Sequence, residues 1–432
     1  MGRDAAAKTQ YDTGVLDLRP EAPAAPPRRG LARLASALAS RNFRLLWCGN
    51  VLSTSGTWMQ KVAQNWLVLT IGGSPFWLGL DAFVGELPIL LLTLVGGVIA
   101  DRHDRRWLLI GSQLVQATCA FVLAALVFGG ASRVPIYAVL ALSFCTGVAQ
   151  AFGGPAYQSL LPALVPREDL PNAVALNSLQ FNLSRILGPL VASVTLAAAG
   201  LTICFLLNGL SFFIVVAALL LLRLDRTVPN VRRSIADEMR TGLSYVKHRP
   251  ALLELTLLGF LMTFLAFPLQ TLLPVMAKDV FRQGIDGYSH LMICSGTGAV
   301  LGAGVVAWRG RAPHMGRHAL VLGGLVGLLL IAFATARTLA VAYPLLLVTS
   351  VALIIVTSTA ISLAQLAAPD EMRGRVMSVF MVAFRGGLPL GGLAVGSLAS
   401  ATSAPTALIA CGVGLVVVSA GFLVFGRGVR EM

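Results

Sequence analysis

Charged residues are scarce in this chain. They make up 12% of its 432 residues, whereas soluble domains carry about 25%. Hydrophobic residues account for 56%. This balance excludes water as the main solvent and predicts an all-α polytopic membrane protein.

Acidic residues are few as well, and the six cysteines form no paired motif. There are 19 Asp and Glu against 33 Lys and Arg, which gives a net charge of +14. The positive residues are spread over many short loops, so we expect no nucleic-acid partner. Each cysteine falls inside an apolar run without a C-x-x-C pair, so neither a disulfide framework nor a metal site is indicated. No nucleotide-binding loop or nucleophile triad is visible, and we expect no enzyme activity, no cofactor and no metal.

Long apolar segments dominate what the chain does contain. Each is long enough to cross ~30 Å of hydrocarbon at ~1.5 Å per residue. Twelve such segments are predicted, at 42–70, 75–100, 107–130, 134–153, 171–198, 201–222, 251–276, 287–308, 318–336, 340–363, 376–399 and 404–426.

The longest polar interval, Arg223 to Pro250, follows the sixth segment and predicts a division into two halves. A repeated pattern agrees with this division. Arg185 precedes Pro189 in the fifth segment by the same spacing that separates Arg385 from Pro389 in the eleventh, as expected of two parallel repeats. The predicted organisation is a largely disordered cytoplasmic tail at 1–41, a six-helix half at 42–222, a cytoplasmic linker at 223–250, a second six-helix half at 251–426 and a cytoplasmic end at 427–432.

Positive charge also predicts the orientation in the membrane. The tail, the loops after even-numbered segments and the C-terminal end hold 26 of the 33 Lys and Arg residues. The opposite loops hold Arg133, Lys278, Arg282 and Arg337. Cytoplasmic loops are enriched in Lys and Arg, so both termini are predicted to be cytoplasmic.

The turn after the second segment carries a recognisable motif. It resembles the loop between the second and third helices of the major facilitator superfamily, G-x-x-x-D-R-x-G-R-R, and Asp104 stands where that pattern usually has Gly. The resemblance implies a conformational latch at its matching residues, which are Gly97, Asp101, Arg102, Arg105 and Arg106.

Two further stretches are similar to the enterobactin-exporter-like branch of that superfamily, the transmembrane secretion effectors. They run from Pro155 to Ser178 and from Pro369 to Ser378. The resemblance implies the twelve-helix major facilitator fold in a bacterial-type cytoplasmic membrane. It also implies proton-coupled export of a siderophore, antibiotic or other amphipathic small molecule by alternating access. The expected partners are that small molecule, protons and the lipid bilayer, with the monomer as the functional unit.

Two alternatives stay open at this point. An importer can use the same fold, since fold does not fix direction. A non-transporting receptor or lipid-handling protein is the other, although such a protein has less need of charges inside its spans.

Five charged residues fall inside predicted spans, where charge is costly and usually functional. Lys61 is expected at the depth of Phe83, between Asp81 and Glu86, and can pair with one of them. The two acids are ~140° apart around their helix and cannot share a face. We expect the unpaired acid to carry the proton and assign that role to Glu86, because Asp81 lies nearer the outer end, where we expect it to be in contact with water.

Arg185 and Arg385 complete the set of five. The resemblance places both in helices that face the central cavity, where they bind an anionic or oxygen-rich substrate or balance the titrating acid. The other interpretation is structural, with bonds to carbonyls freed by Pro189 and Pro389. Further polar groups are predicted on cavity walls or in bonds between helices, at Asn177, Asn182 and Gln270.

Overall fold

The computed structural model describes residues 36–223, 235–309 and 314–431, and within these ranges every regular element is a helix. Ten of the helices are long and apolar enough to cross a membrane. The prediction of a multi-pass, all-helical membrane protein is confirmed. Most of the predicted tail and residues 224–234 of the predicted linker lie outside the described ranges.

The helices follow one another with short connections. In the first part of the chain they are α1 (Arg41–Gly72), α2 (Pro75–Arg102), α3 (Arg105–Phe128), α4 (Ile136–Leu160) and α5 (Leu170–Leu221). The second part contains α6 (Ile235–Lys247), α7 (Pro250–Ala266), α8 (Pro268–Val275), α9 (Ile285–Arg309), α10 (Met315–Thr335), α11 (Leu339–Ala367), α12 (Arg373–Ala401), α13 (Ala404–Phe425) and α14 (Arg427–Arg430).

Helix α5 is two arms joined at Gly200. Its 52 residues would extend about 78 Å as one straight helix, far more than a bilayer needs. Gly200 has φ 75° and ψ −175°, a conformation open to glycine and strained for other residues. The chain therefore turns back between residues 198 and 201, where the sequence predicts a boundary between two spans.

Two groups of helices pack among themselves. The first group is α1 to α5 and the second is α7 to α13. Helix α2 packs on α12, and α5 packs on α9, so these two pairs join the groups. Because successive helices are antiparallel, the bundle has two ends. We call them the Ser74 end, which carries the turns near 73, 130, 200 and 402, and the Asp101 end, which carries the turns near 103, 165 and 370.

Three segments that were predicted as tails or linkers contain ordered structure. Helix α6 lies inside the predicted linker and packs on α12, where a Cβ at Gly242 would meet the Arg375 carbonyl oxygen at 2.8 Å. Helix α14 docks on α7, with Val429 buried and its N–H donating to Glu254 at 3.1 Å. A short 3-10 helix at Ser36–Ala39 lies inside the predicted tail. These segments are fixed by an amphipathic face or by a few buried residues. They therefore contain no long apolar run by which the sequence would have predicted them.

Candidate binding site between the helix groups

Small residues bring α2 and α12 together at the Ser74 end. A Cβ at Gly79 would lie 2.5 Å from the carbonyl oxygen of Gly392. Ser74 and Ser400 share a hydrogen bond of 2.6 Å, and the Phe76 N–H donates to the Ser400 hydroxyl at 2.7 Å. The two backbones are therefore in direct contact here.

The second junction, between α5 and α9, uses the same device. A Cβ at Gly296 would lie 2.7 Å from the Arg185 carbonyl oxygen. Nearby, Asn65 of α1 donates to the hydroxyl of Tyr288 at 2.9 Å, and Tyr288 is fully buried. Ser193 donates to Asp286 at 3.4 Å, still closer to the Ser74 end. The hydrogen bonds between the groups, within the described ranges, are thus concentrated at one end of the bundle.

At the Asp101 end, the turn after α2 is tied to the first group. Arg105 donates to the Ser159 carbonyl at 3.0 Å, and Arg106 donates to the Leu220 carbonyl at 2.6 Å. Asp101 is 55% exposed and lies 3.7 Å from Arg105. The Asp104 side chain accepts from the Arg106 N–H at 2.9 Å and caps α3. The glycine that the motif usually has at this position has no side chain that could make this cap.

The predicted latch contact between Asp101 and the start of α12 is not among the bonds of the described residues. That contact is expected only when the groups meet at the Asp101 end, so it stays a prediction. Gly97, also predicted in the latch, has open space around its Cβ position, and Arg102 is exposed.

Asp81 lies in a buried hydrogen-bond network inside the first group. Its carboxylate accepts from Ser143 of α4 at 2.5 Å and from Gln64 of α1 at 3.0 and 3.3 Å. Gln64 also donates to the Ser143 hydroxyl at 2.8 Å. Only 7% of Asp81 is exposed, so the expectation that this acid is wet is wrong. The network links α1, α2 and α4.

Glu86 occupies a different face of α2. The residues that approach α12 include Gly79, Ala82 and Leu90, whose neighbours there are Gly392 and Gly386. Helical spacing places Glu86 on this same stripe, whereas Asp81 is ~140° away.

At the depth of Glu86, α12 contains Pro389. Because proline has no N–H, the Arg385 carbonyl lacks its usual hydrogen-bond donor in the helix. Within the described residues the Glu86 side chain has neither a hydrogen bond nor an ion pair, and Glu86 is partly buried. Glu86 is therefore an unpaired acid on the surface where the groups meet.

Lys61 does not pair with either acid. It is exposed, and its Nζ lies 5.4 Å from the centre of the Trp58 ring. The expected Lys–carboxylate pair is therefore not formed in this conformation. Lys61 is one turn from Asn65, which reaches across to Tyr288, so Lys61 is on the face of α1 that points towards the second group.

Arg185 meets Lys61 at the same aromatic ring. Its guanidinium carbon is 5.3 Å from the centre of Trp58, and Phe181, one turn away on α5, packs edge-on against that ring at 6.2 Å. Val194 is 66% exposed and lies ~180° from Arg185 around α5. An exposed valine suits lipid, so Arg185 points to the opposite side, into the space between the groups.

Arg385 is placed similarly on α12. It is exposed and lies ~180° around the helix from the exposed Ala394. Lys61 and Arg185 lie near the same Trp58 ring, whereas Arg385 belongs to the other helix group. The cavity-facing orientation that the resemblance implies for both arginines stays a prediction.

The other predicted polar residues differ in their contacts. Asn177 accepts from the Tyr157 hydroxyl of α4 at 2.6 Å, and Asn182 donates to the Ser178 carbonyl one turn back in α5. The bond of Asn177 joins α4 and α5 and matches the structural alternative, whereas the bond of Asn182 stays within α5. Gln270 lies on α8 and is partly buried, and its side chain has no hydrogen bond in the described ranges.

Trp58, Phe181, Gln64 and Ser143 were not predicted. The spacing of Trp58 and Lys61 along one helix was a usable signal, whereas the meeting of α1, α4 and α5 is a tertiary fact. Within the described residues, no group of three or more His, Cys, Asp or Glu is arranged to hold a metal ion.

Sequence comparisons place the chain among known transporters. A family model described as transmembrane secretion effector matches residues 33–431. Macrolide efflux protein A of Streptococcus pyogenes is 26% identical over 243 residues, which are 56% of this chain and 60% of that protein. The enterobactin exporter EntS of Shigella boydii is 25% identical over 281 residues, 65% of this chain and 66% of that protein. The resemblance drawn from the motifs is confirmed.

Solved structures agree on the fold. A bacterial homologue of the human lysosomal transporter Spinster, crystallised in an inward-facing and unoccupied conformation, has a TM-score of 0.72 at 13% identity. The match covers 93% of this chain and 98% of that structure. At this identity the likeness is one of fold alone.

Proposed function

Because this chain belongs to the transmembrane secretion effector family of the major facilitator superfamily, we propose that it is a proton-coupled exporter of an amphipathic small molecule. The family match over residues 33–431 carries the proposal. The relatives named as efflux proteins support outward transport. The first of them is matched over only 60% of its length, so its macrolide substrate is one candidate among several.

The transporter crosses the bacterial cytoplasmic membrane twelve times, in two six-helix halves. Ten spanning helices are supplemented by α1, which contains more polar residues, and by the division of α5 at Gly200. The two helix groups correspond to the halves. Arginine-rich turns at the Asp101 end support a cytoplasmic location for that end and for both termini.

Transport proceeds by alternating access between the halves. The close contacts of Gly79 with Gly392 and of Gly296 with Arg185 favour a state closed at the Ser74 end. In the opposite state the halves meet at the Asp101 end, where Asp101 reaches the free N-terminal amides of α12, which begins at Arg373. A carboxylate at a helix N-terminus gains ~0.3–2 kcal/mol, enough to bias two nearly equal states several-fold.

Glu86 carries the coupled proton. It lies on the surface that must separate and close during the cycle, and it has no fixed partner in the described residues. Asp81 is held by Gln64 and Ser143 within one group, so it keeps its surroundings while the groups move. A group whose surroundings change between states can take up a proton in one and release it in the other.

Everted membrane vesicles test this proposal. Respiration makes their interior acidic, and an acidity-sensitive dye reports the gradient. Addition of a transported compound, with erythromycin and enterobactin in the first panel, is expected to release protons from the vesicles. Glu86→Gln is expected to abolish this release while retaining counterflow exchange of labelled substrate.

The alternatives give other results. A symporting importer would accumulate substrate in right-side-out vesicles under an inward proton gradient. A receptor would bind without counterflow. Either outcome, or full proton release by Glu86→Gln, contradicts the proposal.

A further inference from the structure

We infer that Trp58, Lys61 and Arg185 form a binding site for an organic anion with an aromatic or otherwise flat apolar body. The inference rests on the proposed transport function in one respect only, namely that the bound anion is the cargo.

The site contains two positive charges without a carboxylate. Lys61 Nζ and the Arg185 guanidinium lie 5.4 and 5.3 Å from the same ring centre. The ion pairs of the described residues are Arg105 with Asp101 and Arg373 with Asp370, both at the Asp101 end. Neither cation in the site has a hydrogen bond there. Two like charges beside one ring repel each other, and an anion that contacts both offsets that repulsion.

Asp81 does not neutralise the site. Its oxygens accept from Gln64 and Ser143, and it forms no ion pair with Lys61. Glu86 lies on the stripe that faces α12. The local balance in this part of the wall is therefore positive.

The wall around the charges selects a particular body for the anion. Trp58 is partly buried, and Phe181 is 50% exposed and packs edge-on against it. Flat rings stack on such surfaces with favourable dispersion and quadrupole terms. The Arg185 guanidinium binds carboxylate in a planar, two-pronged geometry, and Lys61 adds a point charge. Carboxylates and sulfonates attached to a ring fit all three residues, whereas a cationic amine meets like charge.

Equilibrium binding to the purified protein in phosphatidylcholine nanodiscs tests the inference. The probe is 2-naphthoate, and the matched probe of opposite charge is 2-naphthylmethylammonium. We expect 2-naphthoate to bind and the ammonium compound not to compete with it. Equal binding of the two probes would overturn the inference.

Charge variants locate the site. Lys61→Met and Arg185→Gln are each expected to weaken 2-naphthoate binding about tenfold, the effect of losing one charge-assisted contact. Arg185→Glu is expected to reverse the preference in favour of the ammonium probe. Lys278→Met and Arg337→Gln, at exposed positions of the Ser74 end, are the matched controls and are expected to bind as wild type does.

Two results decide against the site. One is unchanged 2-naphthoate binding by the Lys61→Met, Arg185→Gln double variant. The other is loss of binding when phosphatidylglycerol is added to the nanodiscs, since this assigns the cations to lipid headgroups. Because binding needs no gradient, it can succeed even if proton-coupled export fails. Conversely, proton-coupled export of cationic compounds without 2-naphthoate binding would refute the site and leave the export proposal intact.

Discussion

Gly79 and Gly392 hold the backbones of α2 and α12 against each other, with only 2.5 Å between the Cβ position of one and the carbonyl oxygen of the other. A side chain at position 79 therefore cannot be accommodated without moving one helix. This pair makes closure at the Ser74 end depend on the absence of a single methyl group.

Gly79→Val is expected to open the Ser74 end. Overpacking of this kind costs ~1–3 kcal/mol, and the cost falls only on the state in which α2 and α12 touch. Spin labels at Ser74 and Ser400 are expected to show a longer distance than in wild type, and export is expected to fall. Gly304→Val is the control, because Gly304 is exposed and its Cβ position has open space. A wild-type distance in Gly79→Val would contradict this account of closure.

The two acids of α2 are expected to affect stability differently. Asp81→Asn turns an amide towards the Gln64 and Ser143 donors and leaves buried polar groups unsatisfied, at ~1–3 kcal/mol. Glu86→Gln removes no bond, so the melting temperature of the purified protein is expected to fall for Asp81→Asn only. If Glu86→Gln melts at the lower temperature, Glu86 has a partner in the resting state and the assignment of the two acids is reversed.

Asp101→Asn is expected to lower transport while insertion and abundance stay near normal. The variant loses the charge that meets the α12 N-terminus in the state closed at the Asp101 end, so the opposite state gains by ~0.3–2 kcal/mol. Double-label distances across the Asp101 end are expected to shift to longer values. Unchanged distances together with lost expression would mean that Asp101 serves only its pair with Arg105.

Cysteine labelling is expected to place residues 232, 311 and 430 in the cytoplasm and residues 132 and 283 outside. The exposed natural cysteines, Cys48 and Cys145, are first replaced by serine. Labelling of residue 232 from outside with an impermeant maleimide would overturn the division into two halves.

Much of the fold was predictable because the bilayer imposes a simple rule. Spans must be long, apolar and helical, and the described helices accordingly overlie the predicted segments. The turn at Gly200 was predictable, because a glycine lies between the predicted spans that end at 198 and begin at 201. Helices α6 and α14 were not predictable, because they are ordered by packing on α12 and α7 and not by a local sequence pattern.

The sequence predicted which charged residues lie inside the spans, but not which side chains they contact. Helical spacing separates Asp81 from Glu86 correctly, because periodicity is local. The proximity of Lys61 to Trp58 follows from their spacing on α1, whereas a contact between Lys61 and a carboxylate depends on the rotation of α1 against α2, which no single segment specifies. The wrong expectation for Asp81 has the same origin, since Ser143 comes from a helix far along the chain.

The hydrogen bonds that close the Ser74 end are few, and this sets the energy scale of the cycle. Among the described residues Ser74, Phe76, Asn65 and Ser193 supply the hydrogen bonds that cross between the groups, and only the bond from Ser193 has a carboxylate as its acceptor. At ~0.5–1.5 kcal/mol net for each neutral bond and ~1.5–3 kcal/mol for the bond to Asp286, together they are worth only a few kcal/mol. Reversing a two-state equilibrium from 1:99 to 99:1 takes ~5.5 kcal/mol. A bound ligand supplies such a shift only through the difference between its affinities for the two states, so binding about 10⁴-fold more tightly to the state open at the Ser74 end is enough to open this gate.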